Sequence, residues 1–326
     1  MMNRWIDILC KGLAPAVAIS MSVVLPATAQ EYPNQSVKVV LGYGAGGGAD
    51  LAVRKLAEKI SQLSGQPFVV LNKPGANGNI AAQEVARSKP DGYTLLWSPS
   101  SGYVSNHLVF KNTPYDPKED LQLVSTFTQY GFVLLVHKDT PANSVAELTE
   151  FLKKKNGGFY GTSATSFSAS AEVYKLAAGL KTQPVNYKTS GDSVRDLAGN
   201  RIDFAFTDAA FALAQAKSGQ IKALAVSLQK RMSQAPEIPT MEESGLPGYE
   251  LNGWMGLAAP KATPQNIVLR LNRWVQQILA MPDIDKFIRD SGSEPFFLRP
   301  EEIARFQDAQ IEKWRKLVAT GAIAVQ

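Results

Sequence analysis

Cysteine and histidine are scarce, with one cysteine and two histidines among 326 residues. Because Cys10 lies in the N-terminal leader segment, residues 30–326 contain neither a disulfide framework nor a thiol nucleophile. The histidines, His107 and His137, lack metal-ligand spacing with each other or with acidic residues, so we predict no metal site. The sequence also lacks a GxSxG elbow and a GKS or GKT phosphate loop, which argues against a serine hydrolase and a P-loop NTPase.

The chain has no extended cluster of one charge. Its formal net charge is +5, and positive and negative residues are interleaved. The longest lysine run, Lys153–Lys155, is typical of the solvated end of a helix. Because a nucleic-acid surface needs a basic face, we predict no nucleic-acid partner.

The N-terminus has the pattern of a secretory signal. Arg4 and Lys11 precede an apolar stretch, and Ala27-Thr28-Ala29 supplies the small-x-small cleavage pattern. The apolar stretch, residues 13–25, is too short for a spanning helix of about 20 residues, and it contains a proline. We therefore predict a signal peptide over residues 1–29, cleavage after Ala29 and a periplasmic location.

One structural pattern occurs twice: an apolar strand, a loop of small residues, and then an amphipathic helix. The first copy is strand 37–41, loop 42–49 and a helix from Asp50; the second is strand 158–160 and loop 161–166 before a helix. Neither loop contains lysine or arginine. Each loop is expected to present free backbone N–H groups at a helix N-terminus, where an anion can bind without a charged side chain.

Strands and helices alternate in both halves of the chain, which predicts an α/β fold with a parallel sheet in each half. A strand beginning at Phe132 and the segment 249–254 are interpreted as the two crossings between domains. The predicted domains are residues 30–130 plus 250–326, and residues 131–249. The terminal helices, near 266–279 and 300–319, are expected to pack on the first domain.

Sites in such sheets lie at the carboxyl ends of the strands, so the loops of both halves should face one crevice. Asn77 and Thr189 lie in the turns after the second strand of each half. The hydroxyls at Ser98, Ser100, Ser101, Ser163 and Ser166 have no evident general base. They favour hydrogen bonding to an acceptor-rich ligand over nucleophilic attack.

A dinucleotide-binding enzyme is the alternative from another class. Gly42–Gly47 matches GxGxxG between a strand and a helix. The next strand, however, ends in Asn72-Lys73 rather than in an acidic residue that would hold a ribose; Lys73 leaves an NADP version open. We predict no cofactor and no enzymatic activity.

Several motifs in order resemble a known family. They are Gly46-Gly47-Gly48-Ala49-Asp50, Asn72–Ile80, Lys89–Leu96, Pro114–Pro117, Ile238–Thr240, Gly245–Tyr249 and Gly253–Leu257. This set resembles the periplasmic receptors of tripartite tricarboxylate transporters, the Bug or TctC-like proteins. The resemblance covers nearly the whole chain after the signal segment.

The resemblance implies a two-domain Venus-flytrap fold that holds a carboxylate in the interdomain cleft, largely through backbone amides. The family's ligand-binding positions correspond here to Tyr43, Ala45, Gly46, Gly47 and Gly48 in the first loop. In the second loop they correspond to Gly161, Thr162, Ser163, Ala164 and Ser166, with Asp208 after the last strand of the second domain. Asp208 is either a ligand contact or a helix N-cap.

Two positions depart from the family pattern. Ala169-Ser170-Ala171 stands where Ser-His-Leu is usual, and Thr189 stands where glycine is usual. Thr189, or Phe167 if it points inward, would reshape the crevice. These departures leave the ligand open among dicarboxylates, tricarboxylates, acidic amino acids and aromatic carboxylates.

The expected function is capture of an organic acid by domain closure and delivery to membrane permease subunits. A ligand-sensing subunit for a signalling partner is the variant that the sequence leaves open. We expect a monomer.

Overall fold

The computed structural model describes residues 32–46, 48–321, 323 and 325, so the predicted signal segment and Gly47 lie outside it. The strands are β1 (Val37–Leu41), β2 (Phe68–Asn72), β3 (Thr94–Pro99), β4 (Leu121–His137), β5 (Gly158–Thr162), β6 (Thr182–Asn186), β7 (Phe204–Asp208), β8 (Ile221–Val226), β9 (Asn252–Pro260) and β10 (Glu294–Pro295). The helices are α1 (Gly48–Ser64), α2 (Asn79–Ala86), α3 (Asn106–Val109), α4 (Val145–Lys154), α5 (Thr165–Ala178), α6 (Ser190–Ala198), α7 (Ala209–Ala216), α8 (Gln265–Leu279), α9 (Pro282–Asp290) and α10 (Pro300–Ala319). None of these helices is long and apolar enough to cross a membrane.

The strands follow the order β2-β1-β3-β9-β4-β7-β5-β6, and β8 and β10 also pair with β4. The predicted parallel units are present, because β1 lies parallel to β2 and β3, and β5 lies parallel to β6 and β7. The expectation of parallel sheets is incomplete, since β4 and β9 run antiparallel to their neighbours. The fold is therefore mixed α/β.

β4 differs most from its prediction. It starts at Leu121 rather than at Phe132 and runs for 17 residues. As far as Gly131 it pairs with β9, and from Phe132 it pairs with β7. The first part escaped prediction because it carries hydroxyl residues; Ser125 and Thr126 are fully buried within the sheet, so polarity does not alternate along the strand.

Of the two terminal helices, α8 contacts β4 and α1, and α10 contacts β4 and α3. Aromatic side chains fill the core beneath them. Trp97 meets Phe127 edge-to-face with ring centroids 4.4 Å apart, and Tyr103 stacks on Trp254 at 5.6 Å. The contact between Trp97 and Phe127 holds the carboxyl end of β3 against the middle of β4.

Candidate functional site

A cavity of about 280 Å³ lies where loops from both halves of the sheet meet. Its lining residues are Tyr43, Asn77, Pro99, Ser100, Ser101, Ser105, Val109, Tyr130, Phe132, Ala164, Thr165, Ser166, Asn252, Gly253 and Trp314. None of these described residues carries a formal charge at neutral pH.

The first glycine loop is held by a buried carboxylate. Asp50, 3% exposed, accepts hydrogen bonds from the Gly46 N–H at 3.0 Å, from Arg54 Nε at 3.0 Å and from Asn72 Nδ2 at 2.8 Å. Asn72 Nδ2 also donates to the Tyr43 carbonyl at 3.0 Å. The Arg54 guanidinium and the other two donors lower the pKa of Asp50 to about 2.

This network changes the expected role of the loop. The Gly46 N–H was predicted to be free for an anion, but it donates to Asp50. Ala45 and Gly46 are exposed and do not line the cavity, and Gly48 opens α1. Tyr43 is the part of the loop that lines the cavity.

The loop and the turn after β2 lie against each other. A Cβ on Gly42 would lie 2.6 Å from the Cα of Gly78, so only glycine allows this approach. In the same turn, Asn77 has a left-handed backbone with φ of 53°. Its Nδ2 donates to the buried Asn106 Oδ1 at 3.0 Å, and Asn106 Nδ2 donates to Asn79 Oδ1 at 2.6 Å. These bonds hold Asn77 in the cavity wall.

The serines after β3 divide into two groups. Ser100 and Ser101 line the cavity, whereas Ser98 is buried behind them, against Gly102. Burial raises the pKa of Tyr43, which shares a hydrogen bond with Ser101. The Tyr43 hydroxyl therefore stays protonated at neutral pH and can act as a donor.

In the second half, Ala164, Thr165 and Ser166 line the cavity at the start of α5. The N-cap residue is Ala164, which has no side-chain cap, so the helix N-terminus is open to an external acceptor. Gly161 and Thr162 belong to β5 and lie behind the loop, where Thr162 Oγ1 donates to the Ala164 carbonyl at 3.1 Å.

Three other predicted residues lie outside the lining and make local contacts. Ser163 and Ser190 share a hydrogen bond of 3.0 Å between their hydroxyls. Thr189 caps α6 by accepting the Asp192 N–H at 3.2 Å. Asp208 caps α7, because its Oδ1 accepts the Phe211 N–H at 2.9 Å.

Sequence reasoning missed the floor of the cavity. Tyr130 and Phe132 lie two residues apart on β4 and therefore face the same side of the sheet. Gly253 on β9 pairs with Tyr130, whose ring occupies the space that a Cβ on Gly253 would need. Had β4 been predicted to continue through Gly131, the two-residue spacing of Tyr130 and Phe132 would have placed both rings on one face of the strand. Trp314 on α10 had no signal, since the helix is distant in sequence.

Burial raises the pKa of the Tyr130 phenol well above its usual value, and the nearby Tyr43 and Asp208 add to the effect. The phenol is therefore neutral under all physiological conditions. Phe167 does not enter the lining but packs edge-to-face on Phe132, with centroids 5.4 Å apart. It supports the floor from behind.

A larger cavity of about 770 Å³ receives no residue from the loops after β1, β3 or β5. Three of its four cationic side chains are already paired: Arg231 with Glu243 at 2.8 Å, Lys313 with Glu250 at 3.0 Å, and Arg289 with Asp285 at 3.0 Å. The smaller cavity is the better candidate because it lies at the strand ends. The described residues contain no cluster of three or more metal-ligating side chains.

Residues 52–322 match the family described as "tripartite tricarboxylate transporter family receptor". BugT of Bordetella pertussis is 30% identical over 305 residues, which are 92% of this chain and 94% of that protein. The solved structure of R. palustris Rpa4515 with adipate is 33% identical with a TM-score of 0.75, over 90% of this chain and 99% of that chain. MatC from Rhodopseudomonas palustris with bound malate is 26% identical with a TM-score of 0.69, over 88% of this chain and 100% of that chain. The structural similarity confirms the predicted Venus-flytrap α/β fold.

Proposed function

Because the chain belongs to the tripartite tricarboxylate transporter receptor family, we propose that it captures a small organic carboxylate in the 280 Å³ cavity and delivers it to the permease subunits of such a transporter. Members of this family are solute-binding receptors rather than enzymes, so the NADP-binding alternative is set aside. The observation that carries the proposal is a cavity shared by both halves and lined with neutral hydrogen-bonding groups.

Neutral donors suit a carboxylate in this cavity. Ser100, Ser101 and the Tyr43 hydroxyl approach from the first half, and the uncapped start of α5 approaches from the second. The N-terminus of a helix favours a negative charge, and hydrogen bonds to an ionised group are about twice as strong as neutral ones. A carboxylate held between the two donor sets needs no lysine or arginine. The two solved relatives with adipate and malate support this ligand class.

The proposed domains are residues 30–130 plus 250–326, and residues 131–249. Two observations support these boundaries. β4 exchanges its partner β9 for β7 between Gly131 and Phe132, and β9 starts at Asn252, directly after the second boundary. Closure about these crossings would bring Ser166 towards Ser101. A ligand shifts such an equilibrium only by its higher affinity for the closed form, which contacts made from both domains would supply.

We further propose export to the periplasm with cleavage after Ala29, and function as a monomer. Membership in a family of periplasmic receptors supports the location. Mass spectrometry of the exported protein tests the cleavage site, and a chain that begins elsewhere than Gln30 contradicts it.

Thermal unfolding of residues 30–326 against a panel of organic acids tests capture. A ligand at 100 times its dissociation constant adds about 2.7 kcal/mol of stability, which raises the unfolding midpoint by a few degrees. Ser166→Ala should weaken binding, whereas Ser98→Ala, behind the cavity wall, serves as the matched control. A panel in which no carboxylate stabilises the protein contradicts the proposal.

Delivery is tested separately by uptake of the radiolabelled acid in cells that lack this receptor gene. Uptake should fall and should return when the gene is restored. Binding without any effect on uptake would indicate the sensing role instead.

A further inference from the structure

The C-terminal helix contributes a side chain to the cavity. Trp314 lies on α10, which contacts α3 and β4, and its ring lines the cavity although only 9% of the residue is exposed. Val109 of α3 and Phe132 of β4 also line the cavity and belong to the same buried hydrophobic cluster as Trp314. A tryptophan about 180 residues after the floor strand therefore forms part of the wall.

Phe132, a second apolar residue of the lining, is well supported. Phe132 is held edge-to-face by Phe167 at 5.4 Å and by Tyr130 at 6.0 Å. On the polar side of the cavity, Asn77 is held through its Nδ2 by Asn106, and Tyr43, Ser100 and Ser101 present hydroxyls. We call Trp314, Val109 and Phe132 the apolar wall. Their side chains offer a ligand no hydrogen-bonding group except the indole N–H of Trp314.

We infer that Trp314 contacts the bound acid and that the apolar wall selects carboxylates with a hydrocarbon body, aliphatic or aromatic, over hydroxy acids and amino acids. This inference rests on the proposed function and names the ligand class of the same site. A hydroxyl or ammonium group placed against the wall loses water and gains no partner.

Matched pairs of acids isolate this effect. Succinate and malate differ by one hydroxyl, and glutarate and glutamate differ by one ammonium group, while the number of carboxylates stays constant. Because an apolar pocket discriminates against an added hydroxyl by at most about 10²-fold, we expect malate to bind ten- to a hundredfold more weakly than succinate. Phenylpropanoate and phenylalanine form the aromatic pair and should show the same order.

Trp314 also provides the readout. Of the four tryptophans after residue 31, Trp97 and Trp254 are fully buried in the core, and Trp274 packs on Phe68 at 6.2 Å, outside the lining. Ligand binding should therefore change the intrinsic fluorescence mainly through Trp314. Trp314→Phe should remove this change, with calorimetry measuring any binding that remains, and the matched control Trp274→Phe should keep both the fluorescence change and the wild-type affinity.

Trp314→Gln places an amide on the wall and should reduce the preference for succinate over malate at least fivefold. The wild-type affinities alone can overturn the inference: equal affinities within each pair, or tighter binding of malate and glutamate, contradict it while capture still stands. A fluorescence change that persists in Trp314→Phe and disappears in Trp274→Phe contradicts the contact. Absence of binding by every acid would instead contradict the proposed function.

Discussion

Replacing Asp50 by asparagine should separate the charge of this residue from its shape. The carboxylate accepts three hydrogen bonds, and its side chain is only 4% exposed. Its pKa falls from 3.8 to about 2 in the folded protein, mainly through Arg54. One pKa unit corresponds to about 1.4 kcal/mol, so the ionised carboxylate contributes about 2 kcal/mol to the free energy of unfolding at pH 7.

The pH dependence has a defined sign. Because the folded pKa is depressed, this stability is complete well above pH 3.8 and declines as the pH falls through about 2. Near pH 3 about half of it, roughly 1 kcal/mol, should remain. Urea unfolding of wild type and Asp50→Asn should therefore differ by about 2 kcal/mol at pH 7 and by about half as much at pH 3.

The control for this experiment lies on the same helix. Glu58 is more than half exposed, with a long contact of 3.7 Å to Lys55 and an exposed hydrogen bond of 3.3 Å from Gln62 Nε2, so Glu58→Gln should change stability by less than about 0.5 kcal/mol at either pH. A difference between wild type and Asp50→Asn that does not change between pH 7 and pH 3 would refute the assignment of the stability to ionised Asp50.

Three further substitutions test other parts of the site. Gly42→Ala should destabilise the protein by about 1–3 kcal/mol, because the new Cβ would meet the backbone of Gly78. In the control, Gly44→Ala, the new Cβ has nothing within 4 Å. Urea unfolding compares the two variants, and equal effects contradict the close approach of Gly42 to Gly78. Asp208→Ser should keep the α7 cap and leave the ligand affinity, measured by calorimetry, unchanged. Asp208→Ala removes the cap and should cost about 1 kcal/mol of stability. A tenfold loss of affinity in Asp208→Ser would instead identify Asp208 as a ligand contact. Tyr160→Phe should cost about 1–3 kcal/mol, because the Tyr160 hydroxyl donates to the buried Glu172 carboxylate at 2.5 Å; a change below 0.5 kcal/mol in urea unfolding contradicts this.

The sequence predicts the local units of this fold well because their signals are local. The strand, small-residue loop and helix at 37–64 and at 158–178 recur as β1–α1 and β5–α5. Residues of both loops, such as Tyr43 and Ser166, reach the cavity. Hydrophobic periodicity and the position of loops at strand ends are sufficient for this much.

The details of ligand contact depend on partners distant in sequence, which explains what the sequence left undetermined. Gly46 and Thr189 bond to Asp50 and Asp192 only four and three residues away. Asn72, which donates to the Asp50 carboxylate, lies 22 residues from it. Asn106, fully inside the protein, fixes Asn77 from 29 residues away. Such bonds depend on tertiary geometry and leave no periodic pattern.

The point where the chain passes between the two parts of the sheet shows the same principle. Ser227 is fully buried; its hydroxyl accepts the Phe132 N–H at 2.8 Å and donates to the Leu251 carbonyl. The backbone repeats both links, because the Ser227 N–H donates to the Phe132 carbonyl at 2.9 Å and the Leu251 N–H donates to the Ser227 carbonyl at 3.2 Å. One serine thus joins both proposed crossings beside the cavity floor. Since Phe132 belongs to that floor, a domain closure of the kind proposed above would pivot beside a residue of the cavity, and the Ser227 bonds would have to be kept or broken as it does so.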